Sequence, residues 1–224
     1  MIGTEQTLGE LAVAVPTAAK VFYRYGLDYC CGGKQSLAEA CARGGLDPTE
    51  VLEAIRADQA ALGAPGDGGT PWLDRPLPEL VQHILQRYHA PLRDELTRLL
   101  ALARKVEQVH AGKEGCPVGL ADHLAAVGPF VEAHLAKEEQ ILFPLFLMGR
   151  GRQATMPVQV MLQEHDDHGD ALRRIRELTN DLRLPEQACG TWRELYRALA
   201  QLEVELMEHI HLENNILFPR ALAG

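Results

Sequence analysis

A short segment that occurs twice places the strongest constraint on this chain. HLAKEEQILFP covers residues 134–144, and HIHLENNILFP covers residues 209–219. Each copy contains a histidine, a glutamate four residues later and the ending I-L-F-P. Positions i and i+4 lie about 40° apart around a helix, so the histidine and the glutamate of each copy share one face. The repeat therefore predicts two helices that each present a His-Glu pair.

Apolar residues place both pairs on helix faces that turn toward a core. His134 and Glu138 fall in a stripe formed by Leu120, Leu124, Val127, Val131 and Leu142. His209 and Glu213 fall in a stripe formed by Leu195, Leu199, Leu202, Leu206 and Leu217. A buried carboxylate is costly unless it is paired or metal-bound. We therefore favour a two-metal site over satisfied core histidines, and imidazole with carboxylate suits iron or manganese.

Long amphipathic segments make up the chain from about Trp72 onward. They cover residues 77–110, 117–147, 157–182 and 188–217, and short connections join them. Pro91 is expected to kink or disturb the first segment, and Pro144 and Pro219 are expected to stop or bend two others. This pattern predicts an antiparallel four-helix bundle in an all-α protein.

The region before the bundle predicts a small helical domain. Its expected helix starts are Thr7 with Glu10 in capping-box position, Ser36 with Glu39, and Asp47. Residues 62–71, LGAPGDGGTP, are rich in glycine and proline and predict a flexible linker. We therefore divide the chain into a helical domain of residues 1–61, the linker 62–71 and a bundle domain of residues 72–224.

The net charge limits the binding partners that are expected for the protein, and the cysteine content indicates its cellular compartment. The net charge of −9 disfavours binding to nucleic acid and to anionic membrane surfaces. We expect no secretory signal and no transmembrane segment. Five cysteines, two of them adjacent at Cys30 and Cys31, do not suit a disulfide framework. A cytoplasmic location is expected, because thiols stay reduced there.

A metal site inside the bundle needs ligands from the other two helices. The first helix offers His83, His89 and His110, and the third offers His165 and His168. The order of a histidine followed by His-x-x-x-Glu, read twice, indicates a duplicated helical hairpin. Helix angles alone do not choose between the candidates. Neither His83 nor His89 lies at the centre of its apolar face, and His168 lies nearer to that centre than His165.

Five motifs resemble those of a known family. HILQRYH, HLAKEEQILFP, EHDDHG and HIHLENNILFPRAL resemble, in this order, the metal-helix motifs of hemerythrin-like bundles. The segment YGLDYCCGG, residues 25–33, resembles the small cysteine-bearing domain of the repair-of-iron-centres family of di-iron proteins (YtfE/ScdA type). The resemblance covers both parts of the chain. It implies two non-haem iron ions with carboxylate and oxo bridges, held by His83, His134, Glu138, His165, His209 and Glu213.

The same resemblance implies a function. The protein would repair iron–sulfur clusters damaged by nitrosative or oxidative stress by donating iron, with damaged iron–sulfur proteins as clients and O2 or nitric oxide as small ligands. Cys30 and Cys31 would act as redox or transient metal-binding thiols in the transfer, and Glu164 matches an acidic residue of the family. Phe130 stands where family members can carry an acidic residue, and His168 is not expected to be a ligand.

Other functions and assemblies stay open at the level of sequence. The first alternative is a di-iron enzyme, either a nitric oxide reductase or a peroxidase, that uses the same site. The second is a hemerythrin-type sensor that binds O2 or nitric oxide. The chain could act as a monomer or as a homodimer.

Overall fold

The computed structural model describes residues 2–61 and 72–224, so the predicted linker 62–71 lies outside the described residues. Within the described ranges the regular structure is helical apart from one antiparallel bridge between Thr7 and Ser36, and the all-α prediction is confirmed. The α-helices are α1 Leu8–Ala14, α2 Pro16–Tyr25, α3 Leu37–Gly44, α4 Pro48–Ala61, α5 Leu77–Ile84, α6 Ala90–His110, α7 Leu120–Lys137, α8 Phe143–Leu147, α9 Thr155–Leu178, α10 Gly190–Leu212 and α11 Phe218–Ala223. None of these helices combines the length and the apolar character that a bilayer crossing requires.

The chain forms two compact units. The first, here called the N-terminal unit, comprises Met1–Leu80 and Met207–Gly224. The second, here called the bundle unit, comprises Val81–Leu206. This division differs from the predicted one, because the end of the chain groups with the N-terminal helices. Met207, for example, packs against their apolar core.

Local capping explains where the short helices of the N-terminal unit begin. Thr7 accepts the N–H of Glu10, and the Glu10 carboxylate accepts the N–H of Thr7. Ser36 and Glu39 form the same reciprocal pair, so both predicted capping boxes are confirmed. The helices pack around a core of fully buried residues that includes Leu8, Leu11, Phe22, Leu37, Val51 and Ile55.

Four long helices enclose the interior of the bundle unit. Leu92 of α6, Leu124 of α7, Leu172 of α9 and Leu202 of α10 line one common cavity. Residues from four helices can line one cavity only if those helices surround it. This arrangement agrees with the predicted bundle.

Within residues 2–61 and 72–224, three helices contain a π-helical turn, and a proline follows each turn by two residues. The turns are Leu85–His89, Glu138–Leu142 and Glu213–Leu217. In each case the residue before the proline donates its N–H to the carbonyl five residues back: Ala90 to Leu85, Phe143 to Glu138 and Phe218 to Glu213.

The wider turn explains how these helices tolerate their prolines. A proline lacks an N–H, and in a regular α-helix its ring clashes with the carbonyl four residues back. A π turn relieves this conflict and leaves the helix unbroken. The last helical segment therefore continues to Ala223, whereas the sequence predicted an end near residue 217.

Candidate metal centre and cysteine cluster

The carboxylate of Glu138 is the centre of a group of imidazoles in the bundle unit. Its oxygens lie 3.4 Å from Nε2 of His89, 3.4 Å from Nε2 of His134 and 3.9 Å from Nε2 of His165. All four side chains are buried, and Glu138 is 0% exposed. Three histidines from three helical segments thus converge on one buried carboxylate.

Two further carboxylates set the orientation of two of these rings. Glu139 accepts a hydrogen bond from His89 Nδ1 at 2.9 Å, and Glu164 accepts one from His134 Nδ1 at 2.9 Å. Arg93 donates to Glu139, and Lys137 donates to Glu164. Because an ionised carboxylate only accepts, the ring proton is on Nδ1, and Nε2 presents a lone pair. Histidines that ligate metals are held in this way.

Hydrogen bonds from its neighbours keep the orienting carboxylate of Glu139 ionised. Partial burial raises the pKa of Glu139, but hydrogen bonds from Arg93 and His89 outweigh this effect. The net result is a pKa below the ordinary value of a glutamate. Glu139 therefore stays an acceptor for His89 at neutral pH.

The donor set fits a metal cation. His89 and His134 both direct Nε2 lone pairs at the Glu138 carboxylate, and this arrangement is repulsive in buried surroundings unless a cation lies between the groups. His134 Nε2 is also 3.2 Å from His165 Nε2. A ligand atom is available from each of His134, Glu138 and His165. These three atoms lie within 4.8 Å of one another, a spacing at which a single ion can be held. Imidazole and carboxylate together suit iron.

His89, and not the predicted His83, lies beside Glu138. His89 is 1% exposed, whereas His83 is half-buried and packs edge-on against Tyr88. The π turn Leu85–His89 separates the two histidines, and its additional residue rotates all later positions around the helix axis. Regular helix angles could not show this change. Pro91, two residues after His89, was the signal available in the sequence.

The second His-Glu pair forms in the N-terminal unit. His209 Nε2 lies 3.0 Å from Glu213 Oε1, and both side chains are buried. The i, i+4 spacing thus brings the two groups together on one face, as the sequence indicated. They are a second potential pair of metal ligands.

A separate cluster in the N-terminal unit contains Cys30 and Cys31. Their sulfur atoms are 3.7 Å apart. Asp28 Oδ1 accepts the N–H of Cys30 at 3.2 Å, the N–H of Cys31 at 2.9 Å and the Cys30 thiol at 3.2 Å. The three side chains offer ligand atoms within 4.8 Å of one another, so they could hold a metal ion. The sequence pattern did not indicate a role for Asp28.

The two thiols differ in accessibility. Cys30 is buried and Cys31 is half-buried. The hydrogen bond with Cys31, followed by burial and by the negative charge of Asp28, raises the pKa of Cys30 well above its ordinary value. A cation at the cluster would offset these effects and favour the thiolate.

Two asparagines attach the cysteine loop to the segment that follows Glu213. Asn214 Nδ2 donates to the Cys30 carbonyl at 3.0 Å, and Asn215 Nδ2 donates to the Tyr29 carbonyl at 3.2 Å. Asn215 Nδ2 also donates to His211 Nδ1, and burial lowers the pKa of His211 to about 4. His211 is therefore a neutral acceptor. Sequence analysis gave no role to either asparagine.

Glycines allow this close approach. A Cβ atom at Gly9 would lie 2.4 Å from Asn215 Oδ1, and one at Gly33 would lie 2.9 Å from the same oxygen. Both distances are shorter than van der Waals contact. A Cβ at Gly33 would also lie 2.8 Å from the Tyr29 carbonyl, so packing against this backbone atom and Asn215 requires the glycine, a role that the sequence pattern Cys-Cys-Gly-Gly did not reveal.

Comparison with known proteins assigns both parts of the chain. The Hemerythrin HHE cation binding domain matches residues 80–221, and ScdA_N, described as a domain of unknown function (DUF542), matches residues 4–59. The iron-sulfur cluster repair protein YtfE of Citrobacter koseri is 48% identical over 220 residues, and that of Escherichia coli O157:H7 is 47% identical. Both alignments cover 98% of each chain. The chain belongs to the YtfE family. This membership confirms the resemblance seen in the sequence motifs.

Within this YtfE-family chain, the remaining predicted residues have distinct surroundings. Glu164 accepts a hydrogen bond from His134 Nδ1. The His168 ring packs edge-on against His134, with 4.7 Å between ring centroids. Phe130 is exposed. Among the described residues, the groups able to hold a metal include neither His83 nor His168.

Proposed function

We propose that this protein binds two iron ions and repairs iron–sulfur clusters damaged by nitrosative or oxidative stress by donating iron. Its relatives carry the name iron-sulfur cluster repair protein. One observation in this chain carries the proposal. The cysteine loop is hydrogen-bonded to the two residues that directly follow Glu213. A candidate iron ligand and a pair of thiols thus belong to one packed unit.

The proposed iron ligands come from both His-x-x-x-Glu segments and from two further helices. They are His89, His134, Glu138, His165, His209 and Glu213. His89 replaces His83 in this set, because His89 is the histidine of the first long helical segment that lies beside Glu138. The hemerythrin domain, residues 80–221, contains all six. Two equivalent segments support two iron ions, with Glu138 and Glu213 as the bridging carboxylates.

The chemistry of the side chains supports transfer from this centre to the thiols. The iron is the cargo of the proposed reaction. Neutral imidazoles and carboxylates hold it less tightly than thiolates do, because soft thiolate ligands suit iron–sulfur chemistry better. Glu139 and Glu164 keep two histidines in the ligating tautomer, and Cys30, Cys31 and Asp28 form the receiving group.

The state of the cysteines supports a reducing compartment. Five cysteines, two of them adjacent, do not suit a disulfide framework. Thiol groups persist in the cytoplasm and are oxidised in secreted proteins. We therefore propose that the protein works in the cytoplasm, where damaged iron–sulfur proteins are its clients.

Anaerobic repair of a damaged dehydratase tests the proposal. A 4Fe–4S dehydratase is inactivated with nitric oxide and incubated with the iron-loaded full-length protein, and the recovery of its activity is followed. The double variant Cys30→Ala/Cys31→Ala should keep its iron and restore activity about tenfold more slowly. Cys116→Ser, which alters another half-buried thiol, should behave like the unchanged protein.

Two results would contradict the proposal. One is equal recovery with iron-free and iron-loaded protein, since iron donation would then not be the repair step. The other is an unchanged rate in the double cysteine variant, which would remove the thiols from the transfer. Iron content measured before and after each incubation separates loss of binding from loss of transfer.

An apolar cavity in the bundle unit favours a second activity at the same centre, namely the binding or reduction of nitric oxide. The cavity has a volume of about 20 Å³, and its walls include Leu124, Leu172, Leu206 and His168. This volume is enough for one small molecule, and an apolar wall favours an uncharged one. Nitrous oxide formed by the reduced, iron-loaded protein would show a reductase. A nitric oxide adduct without nitrous oxide would show a sensor.

A further inference from the structure

The start of helix α10 places a cysteine in an unusual hydrogen-bonding environment within the bundle unit. Cys189 directly precedes Gly190, and its carbonyl accepts the N–H of Arg193 at 3.0 Å. The backbone N–H of Trp192, with the N–H and the hydroxyl of Thr191, acts on the thiol to lower the pKa of Cys189. Cys189 is half-buried, so small molecules can reach its sulfur. The first N–H groups of a helix favour a negative charge at this position.

A buried histidine completes this environment. His110, the last residue of α6, is 3% exposed, and its Nε2 lies 3.2 Å from Cys189 Sγ. Its ring packs against Trp192, with 4.9 Å between ring centroids. The imidazole is therefore held in place on the side of the sulfur that faces the protein interior.

The other ring nitrogen indicates which atom carries the proton. His110 Nδ1 is buried and has no hydrogen-bond partner among the described residues. An unpaired buried N–H group is less tolerable than an unpaired acceptor. The favoured neutral tautomer therefore has its proton on Nε2 and donates a hydrogen bond to the sulfur of Cys189.

These donors distinguish Cys189 from the other half-buried cysteine of the bundle unit. The hydrogen bond from the Trp192 N–H, with those from Thr191, lowers the pKa of Cys189 despite partial burial. Burial and the nearby Glu107 raise the pKa of Cys116. The thiolate is the reactive form of cysteine. Cys189 is consequently the better nucleophile at neutral pH.

We propose that Cys189, held by His110 at the start of α10, is a site that hydroperoxides oxidise to a sulfenic acid. The sulfur attacks one peroxide oxygen, so an S–O bond forms as the O–O bond breaks. The leaving hydroxide or alkoxide takes a proton from solvent and becomes water or an alcohol. The sulfur loses two electrons and the peroxide gains them. Hydrogen peroxide suits this half-buried sulfur, because it is small and uncharged.

Trapping of the sulfenic acid tests this site on the full-length, iron-loaded protein. The protein is treated with limiting hydrogen peroxide in the presence of dimedone, and the label on Cys189 and Cys116 is followed by mass spectrometry. Cys189 should be labelled about tenfold faster than Cys116, which is the internal control. Oxidation by iron-derived radicals would label both thiols, so the ratio isolates the effect of the local environment.

Two variants test the role of the hydrogen bonds. His110→Gln should slow labelling of Cys189 by about tenfold, because the donor to the sulfur is displaced. Thr191→Val should slow it less, because the Thr191 hydroxyl is only one of the groups that lower the pKa of Cys189. The matched control is His123→Gln, since His123 is a histidine of the same unit that binds the Ala171 carbonyl. It should leave labelling unchanged.

Equal labelling of Cys189 and Cys116 in the unchanged protein would overturn the proposal. So would an unchanged Cys189 rate in both His110→Gln and Thr191→Val. Helix content by circular dichroism shows whether a variant is folded. If His110→Gln does not fold, the labelling rate of Thr191→Val tests the proposal. Repair activity is not a readout here, so this result is independent of the proposed iron donation.

Discussion

The two repeated segments, residues 134–144 and 209–219, have the same π turn followed by a proline. They differ in the groups to which their side chains form hydrogen bonds. In both, the glutamate begins a π turn and a proline follows that turn. At the next position the first segment has Glu139, which accepts hydrogen bonds from His89 and Arg93. The second has Asn214, which donates to the carbonyl of Cys30. The same helix geometry thus presents side chains that form hydrogen bonds with different neighbours.

The difference follows from hydrogen-bond chemistry. A carboxylate only accepts, so it pairs with the Nδ1–H of a histidine and leaves Nε2 for a metal. An amide nitrogen donates two hydrogen bonds, so it can hold backbone carbonyls of a neighbouring loop. One exchange of side chain therefore separates a segment that orients a ligand from a segment that anchors the cysteine loop.

Removal of the feature that both segments share should have the largest effect. Glu138→Gln and Glu213→Gln replace a charged ligand with a neutral amide that holds a cation weakly. Each variant should lose about half of its iron or more, as measured by elemental analysis and by the optical spectrum of the oxidised protein. Glu177→Gln, which alters an exposed carboxylate paired with Arg174, is the control. If either variant keeps its full iron content, the glutamate that it lacks is not an iron ligand.

Exchange at the position directly after the shared glutamate should weaken iron binding without removing a ligand. Glu139→Gln takes away the charge that holds the Nδ1 proton of His89. The affinity for iron should fall about 10–100-fold, as measured by competition with a chelator. The matched change is Asn214→Gln, which keeps an amide in the second segment. A similar loss of affinity in that variant would show that the two positions do not differ in function.

Substitution one position later, at Asn215 or Gln140, should be seen in the free energy of unfolding rather than in the affinity for iron. Asn215→Ala leaves the Tyr29 carbonyl and His211 Nδ1 without their donor, so the free energy of unfolding should fall by about 1–3 kcal/mol. The equivalent residue of the first segment is the exposed Gln140, and Gln140→Ala should change it by less than about 0.5 kcal/mol. Urea unfolding measures both. Equal losses would mean that the loop is not anchored by Asn215.

The smallest effect is expected just before the two glutamates. Lys137 contacts Glu164 in the first segment, whereas the equivalent residue of the second is the buried Leu212. Lys137→Leu should change the free energy of unfolding by less than about 1 kcal/mol, because the ion pair is partly exposed. The chelator assay should show a smaller loss of iron affinity than in Glu164→Gln. A larger loss than in Glu164→Gln would mean that Lys137, rather than Glu164, mainly fixes the orientation of the His134 ring.

Several features were predictable because they depend on neighbours within one or two helical turns. The capping boxes at Thr7 and Ser36, and the shared faces of His134 with Glu138 and His209 with Glu213, belong to this class. The predicted ligand set contains His83, whereas the structure places His89 beside Glu138, at the end of a π turn. Its extra residue changes the rotation of the helix, and a regular helical angle cannot represent it.

The sequence by itself thus determined the helices, their caps, the two His-Glu pairs and the family. Tertiary structure decided which histidine of the first long helix meets Glu138, and which carboxylates orient the rings. It also decided that Asn214 holds Cys30 and that His110 lies against Cys189, contacts between residues 184 and 79 positions apart. The physical reason is that these contacts depend on how helices pack, and no local spacing records that packing.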